Sequence, residues 1–197
     1  MRAVAIEANE TDNEPDGTRV VSVPLSDKPL APVTRARIRN LRMHLVESLR
    51  AMRVMKHPER DASPVRAEPD GLAGLVARTA CGLCRGSCCT GGGEHAYLDE
   101  RTMARVRQRR PELEAGAIIG LYVACVPRVA HRDSCLFHGA EGCTLDRTLR
   151  SDICNSYFCS ALGRFVTYPE APAGVVVIAR ADGKVRRSGK LAAATKA

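Results

Sequence analysis

The chain has no tryptophan and only seven aromatic residues, three phenylalanines and four tyrosines, among 197 positions. Leucine, isoleucine, valine and phenylalanine fill 43 of those positions, only slightly above the level at which a chain fails to bury enough apolar surface to fold. A large aromatic core is therefore excluded. A thin interior of this kind is usually supplemented by crosslinks, either disulfides or bound metal.

Long apolar runs are missing too. The longest uncharged one, AGAIIGLYVACVP from Ala115 to Pro127, has 13 residues, short of the roughly 20 that cross a bilayer. The first residues, MRAVAIEANETDNEPDG, have no basic stretch leading into an apolar one, so no secretory signal is expected and a cytoplasmic location is. No P-loop, dinucleotide-binding glycine fingerprint or serine nucleophile motif is present, which argues against a conventional nucleotide-dependent enzyme.

What the chain does have is cysteine, nine in all, and a net charge of +8. The charge is regional. Residues 1–16 carry Glu7, Glu10, Asp12, Glu14 and Asp16 against Arg2, whereas residues 28–60 are dominated by arginine. Residues 1–33 combine acids, glycine and proline with low hydrophobicity and read as a disordered acidic lead. From Thr34, a suitable N-cap, Ile38, Leu41, Leu45, Leu49, Met52 and Met55 recur at three- and four-residue steps. That spacing predicts a basic amphipathic helix over 34–56, either packed on its own domain with its arginines in solvent or offering them to nucleic acid, a protein partner or a membrane surface. No aromatic residue interleaves them, which weakens a single-strand stacking role.

Residues 57–70, rich in proline and charge, read as a linker. A cysteine-cluster domain is expected over 71–185, with a short helix capped by Asp70 running to Cys81 and a second opening near Asp99. The β-formers of AIIGLYVACV suggest a strand, although a buried helix of that length has the same composition. GVVVIARADGKVRR predicts a hairpin turning at Asp182 and Gly183. Residues 186–197 read as a disordered tail. The expected class is α+β: a small, irregular, metal-stapled domain with short helices and a terminal hairpin.

The cysteines fall into two groups of four. CGLCRGSCC gives Cys81, Cys84, Cys88 and Cys89; CLFHGAEGCTLDRTLRSDICNSYFC gives Cys135, Cys143, Cys154 and Cys159. In a reducing compartment such clusters are metal ligands more often than disulfides. Four thiolates satisfy a tetrahedral zinc or an iron–sulfur cluster, and the adjacent pair Cys88–Cys89, whose side chains diverge in extended backbone, favours two centres or one polynuclear one. That points to iron or an iron–sulfur cluster somewhat ahead of zinc. Cys125, alone in an apolar run, reads as a small buried hydrophobe. His95, His131 and His138 read first as structural or solvated side chains and second as substitutes for a cysteine ligand or proton-transfer groups, His138 foremost because it lies between Cys135 and Cys143.

These motifs resemble the YkgJ-like cysteine-cluster family, described as zinc- or iron-chelating domains with a CxxCxxxCC signature. The resemblance covers residues 78–160, about two fifths of the chain. Beyond the eight cysteines it includes Phe137, Gly142, Leu145, Arg150 and Tyr157; Ser151, Asn155 and Phe158 depart from it, standing where the family has proline, arginine and proline. The resemblance implies that all eight cysteines are ligands; Arg150 reads either as a donor to the cluster sulfurs or a nearby carbonyl or as a plain surface arginine. Links between such domains and protein methylation make a redox or protein-modifying, methyltransferase-like enzyme one alternative. A metal-sensing regulator that binds nucleic acid through 34–56 is another.

Overall fold

The computed structural model describes residues 16–56, 69–167 and 172–193. The expected lead through residue 15, most of the linker (57–68) and the last four residues lie outside them. The chain divides into two compact units, one of Met1–Asp27, Glu68–Ser87 and Phe158–Ala197, the other of Lys28–Ala67 and Cys88–Tyr157. The class is α+β.

The first unit is built on a three-stranded sheet in the order β1-β6-β7. Strand β6 (Gly174–Ala181) turns at Asp182 and Gly183 into β7 (Lys184–Arg187), the hairpin expected from the Asp-Gly signal. On its other side it pairs in parallel with β1 (Thr18–Pro24), Thr18 opposite Gly174 and Pro24 opposite Arg180. Helices α2 (Gly71–Cys84) and α6 (Ser160–Thr167) cover one face. Val21, Val23, Val175, Val177 and Ala179 project there against Val76, Ala80, Leu162 and Phe165.

This corrects the expectation of disorder through residue 33. Acids and prolines lower the average of the segment, but TRVVSVP is a β-branched run, and its partner lies about 150 positions further on, beyond the reach of any local signal. The expected disordered tail is corrected similarly: β7 runs to Arg187, and Leu191 exchanges backbone hydrogen bonds with Val175, each 2.8 Å.

The second unit packs helix α1 (Arg35–Arg53) against α3 (Glu100–Arg109) and α4 (Ala115–Ala124). Thr34 caps α1, its hydroxyl accepting the Arg37 amide at 3.3 Å, and Asp99 caps α3, accepting the Thr102 amide at 2.8 Å. Leu41, Leu45 and Leu49 meet Met103, Val106, Ile118, Tyr122 and Phe137 in one core. Short strand β2 (Leu30–Pro32) pairs antiparallel with β3 (Val129–His131), and β4 (His138–Gly139) with β5 (Gly142–Cys143). A final helix, α5, spans Asp152–Ser156.

Two further expectations change here. AIIGLYVACV is helical, with Ile118 and Tyr122 four apart on the core side and Gly116, Ala117, Gly120 and Ala124 exposed. Small residues on the solvent side hid the helical period. The boundary that sets helix 34–56 outside a cysteine domain over 71–185 also moves: the helix packs on its own unit, as its apolar stripe allows, and supplies part of the core around which Cys135 and Cys143 are arranged.

Candidate metal centre

The unit boundary falls inside the first cysteine motif. Cys81 and Cys84 lie in the last turn of α2, which ends where Arg85 takes a left-handed conformation (φ 53°) followed by Gly86 (φ 73°). The turn is closed by the Ser87 amide donating to Cys84 Sγ at 3.3 Å. Cys84 and Cys159 both pack against the core of the first unit, and Cys81 is exposed.

Cys88 and Cys89 begin the second unit, on a 3-10 turn spanning Ser87–Gly91. The Cys135 amide donates to the Cys89 carbonyl at 2.9 Å and the Leu136 amide to the Gly93 carbonyl at 2.8 Å. Two loops 46 positions apart in sequence are thereby laid side by side. Gly92 makes the approach possible, because a methyl group on its Cα would stand 2.8 Å from Cys135 Cβ and 3.2 Å from its sulfur. Cys143 sits across the β4–β5 pair from His138. Cys154 is set by α5, where Ser151 accepts the Cys154 amide at 3.2 Å, and Asn155, buried, donates to the Arg147 carbonyl at 2.9 Å. Both side chains hold the local turn by hydrogen bonds.

The thiols of this unit feel one another. The hydrogen bond that the Cys89 thiol donates to Cys88 is the foremost cause raising Cys89, with burial and the charges of Cys88, Cys135 and Cys143 adding to it. Within the pair, Cys88 takes the charge: the Cys89 thiol holds it down at about 7, assisted by Arg150. Burial, reinforced by Cys143 and Cys154, pushes Cys135 up to about 12. Cys154 is raised by burial and by Cys143 and Cys88, while Ser151 and Arg150 oppose the rise. Cys88, Cys89, Cys135, Cys143 and Cys154 are thus electrostatic neighbours, with Arg150 acting on Cys88 and Cys154 and Arg37 on Cys135. Arg150 Nε donates to the Leu145 carbonyl at 2.9 Å.

All nine cysteines are free thiols. Five soft donors drawn from separated stretches match the preference of zinc, iron and iron–sulfur clusters for thiolate. Among the described residues, however, no three His, Cys, Asp or Glu side chains stand in a ready-made ligand arrangement. Donor chemistry and neighbourhood fit a thiolate-bound metal; closure of a coordination shell would come with deprotonation and binding.

The histidines are engaged elsewhere. His138 is fully buried, its Nδ1 2.8 Å from Ser134 Oγ and its ring 4.3 Å from that of His131. His131 Nδ1 lies 2.6 Å from the Lys28 carbonyl. His95 is exposed beside His44 and Tyr97, its Nδ1 accepting the Tyr97 amide at 3.0 Å. Cys125 packs against the core of the second unit, as expected of a small hydrophobe, and burial raises its thiol. One supporting residue had no sequence signal: Arg105, buried on α3, pairs with Asp152 and with the Arg150 carbonyl, pinning the turn that carries Cys154 to the helical core.

Comparison with known proteins finds no similarity: no protein-family model, curated protein or solved structure matches this chain.

Proposed function

We propose that this protein is a thiolate metal-binding protein, holding iron, an iron–sulfur cluster or zinc. The observation that carries the reading is that Cys88, Cys89, Cys135, Cys143 and Cys154, from stretches far apart in sequence, fall within one unit and act on one another's charge. Thiols that serve only as core filler need not assemble. Here five fall within one unit, with Cys89, Cys135 and Cys154 raised by burial and by the charge of neighbouring thiols, and a bound cation relieves that conflict by accepting negative charge.

Those five residues are the ligands proposed for the second unit; Cys81, Cys84 and Cys159 form the thiol set of the first. Bound metal contributes folding energy, on the order of 10 kcal/mol or more for structural zinc in small peptides, which suits a chain so poor in large apolar residues. Arg150 offsets part of the charge that several thiolates bring. The hydrogen bonds from Cys135 and Leu136 to the Cys89–Gly93 loop hold the two cysteine-bearing loops together before metal arrives.

Anaerobic purification followed by elemental analysis and visible absorption tests the reading. Stoichiometric iron with charge-transfer bands identifies iron or a cluster, and stoichiometric colourless metal identifies zinc. A protein that carries no metal, and whose melting temperature is unmoved by added Fe2+ or Zn2+ under reducing conditions, refutes it.

A further inference from the structure

Helix α1 turns one face to the core of its unit and carries a row of arginines on another. Leu41, Leu45, Ser48 and Leu49 are buried, while Arg35, Arg39, Arg42, Arg50 and Arg53 are exposed. At 100° per residue the five arginines fall within one narrow stripe. The helix is about 28 Å long at 1.5 Å per residue. Arg37, off the stripe, is used internally, donating to Glu94 and to the Ser134 carbonyl, each at 2.7 Å. Among the described residues none of the five stripe arginines has an ion-pair partner. Like charges three and four positions apart destabilise a helix, and among the described residues no carboxylate forms an ion pair with this row.

The middle of the stripe is apolar. Met43 is 56% exposed, Val46 is half-buried beside it, and with Arg39, Arg42, Glu47 and Arg50 they line a shallow depression along the helix. An apolar centre with an arginine rim is the composition of a protein interface, where Met and Arg are enriched and Lys is depleted. A nucleic acid has no use for Met43 and Val46, is repelled by Glu47, and finds no aromatic side chain on which to stack. A second copy would set one arginine row against another. We infer that this face docks an acidic amphipathic protein segment, its apolar side chains on Met43 and Val46 and its carboxylates paired with Arg39, Arg42 and Arg50, a pairing that guanidinium makes bidentate.

The test is fluorescence anisotropy on the full chain with four probes. These are a labelled helical peptide of about 20 residues with leucines at three- and four-residue spacing and glutamates elsewhere, a polyglutamate of equal charge, an oligonucleotide in single- and double-stranded form, and vesicles of phosphatidylserine and phosphatidylcholine. The amphipathic peptide binds most tightly. Its affinity falls about tenfold or more when Arg39, Arg42 and Arg50 are changed together to Gln, and several-fold for the Met43→Gln, Val46→Gln pair. In the unaltered chain, bound peptide also protects Met43 from peroxide oxidation, read by mass spectrometry, which needs no variant to fold. Tighter binding of oligonucleotide, vesicle or polyglutamate overturns the inference, as does unchanged peptide affinity in the Met43, Val46 variant or Met43 oxidised equally with and without peptide.

Discussion

Replacing Gly92 with alanine tests the packing that brings two cysteine loops together. The new methyl would lie 2.8 Å from Cys135 Cβ and 3.4 Å from the Cys89 carbonyl oxygen. Carbon atoms rest at about 3.5–4.0 Å, so the loops must part by about 1 Å. Cys135 is buried and cannot simply swing into solvent. Parting the loops instead strains the bonds from the Cys135 and Gly92 amides to the Cys89 carbonyl, 2.9 and 3.1 Å, and from the Leu136 amide to the Gly93 carbonyl, 2.8 Å. Overpacking costs about 1–3 kcal/mol, and two or three weakened hydrogen bonds at about 1 kcal/mol each give a similar figure. The expected loss is about 2–3 kcal/mol in the metal-free protein, read from urea denaturation, together with reduced metal loading. Gly120, exposed on α4 with nothing within 4 Å of its added carbon, is the control: alanine there stabilises by about 0.5–1 kcal/mol. A Gly92→Ala protein as stable as wild type and loading the same metal would refute the account of how these loops are held.

The remaining predictions concern the donors, the core and pH. Cys88→Ser, Cys135→Ser and Cys143→Ser each lower the metal-to-protein ratio measured by elemental analysis, whereas Cys125→Ser leaves it unchanged. Arg105→Met strands Asp152 and frees the Arg150 carbonyl. It should cost about 2–4 kcal/mol, somewhat below a fully buried pair because Asp152 is partly exposed; a denaturation midpoint equal to wild type would contradict this. Tyr122 is buried, donates to the Leu149 carbonyl at 2.8 Å, and is held above its ordinary value of 10.0, chiefly by burial. Its neutral form is therefore favoured in the folded chain. The associated stability is intact below about pH 10 and is lost as pH rises further, by up to about 1.4 kcal/mol per pH unit. Tyr122→Phe should cost about 1 kcal/mol at pH 8 and much less at pH 11, so a wild-type-to-variant difference that stays constant over that range would count against the assignment.

What was legible in the sequence was local. Thr34 and Asp99 cap the helices they were expected to cap, the three-four spacing of Leu41, Leu45 and Leu49 marks the buried face of α1, and Asp182-Gly183 turns the hairpin. Each rests on a signal confined to a few residues. What stayed hidden depends on partners far along the chain. Strand β1 looks marginal alone and becomes a strand because β6 pairs with it over seven positions. Helix α4 was masked by its own glycines and alanines, which are apolar on a scale yet face solvent. Among the candidate ligands, the adjacent Cys88–Cys89 pair signals that the first motif need not stay together, but neither residue type nor spacing places the division between Ser87 and Cys88, or shows that Gly92, Ser151, Asn155 and Arg105 hold the loops that carry the thiols.

That division has an energetic consequence for the two halves of the motif. Cys84 lies against a core of valine, leucine and phenylalanine side chains, with Cys81 one turn earlier on the same helix. Burial of that apolar surface, at roughly 25 cal/mol per Å2, holds α2 in place whatever its thiols bind. Cys88 and Cys89 sit on a turn with no buried residue of its own, tied to the Cys135 loop by backbone hydrogen bonds. Such bonds contribute about 1 kcal/mol each, far less than metal coordination. Metal removal should therefore act unevenly, and amide hydrogen exchange resolves the difference residue by residue. Amides of Val76, Ala77 and Ala80 should keep their protection after chelation, while those of Cys135, Leu136 and Ala96 should lose it by a large factor. Equal protection in both sets, with and without metal, would mean that the thiol loops are held by packing alone and that metal contributes nothing to their order.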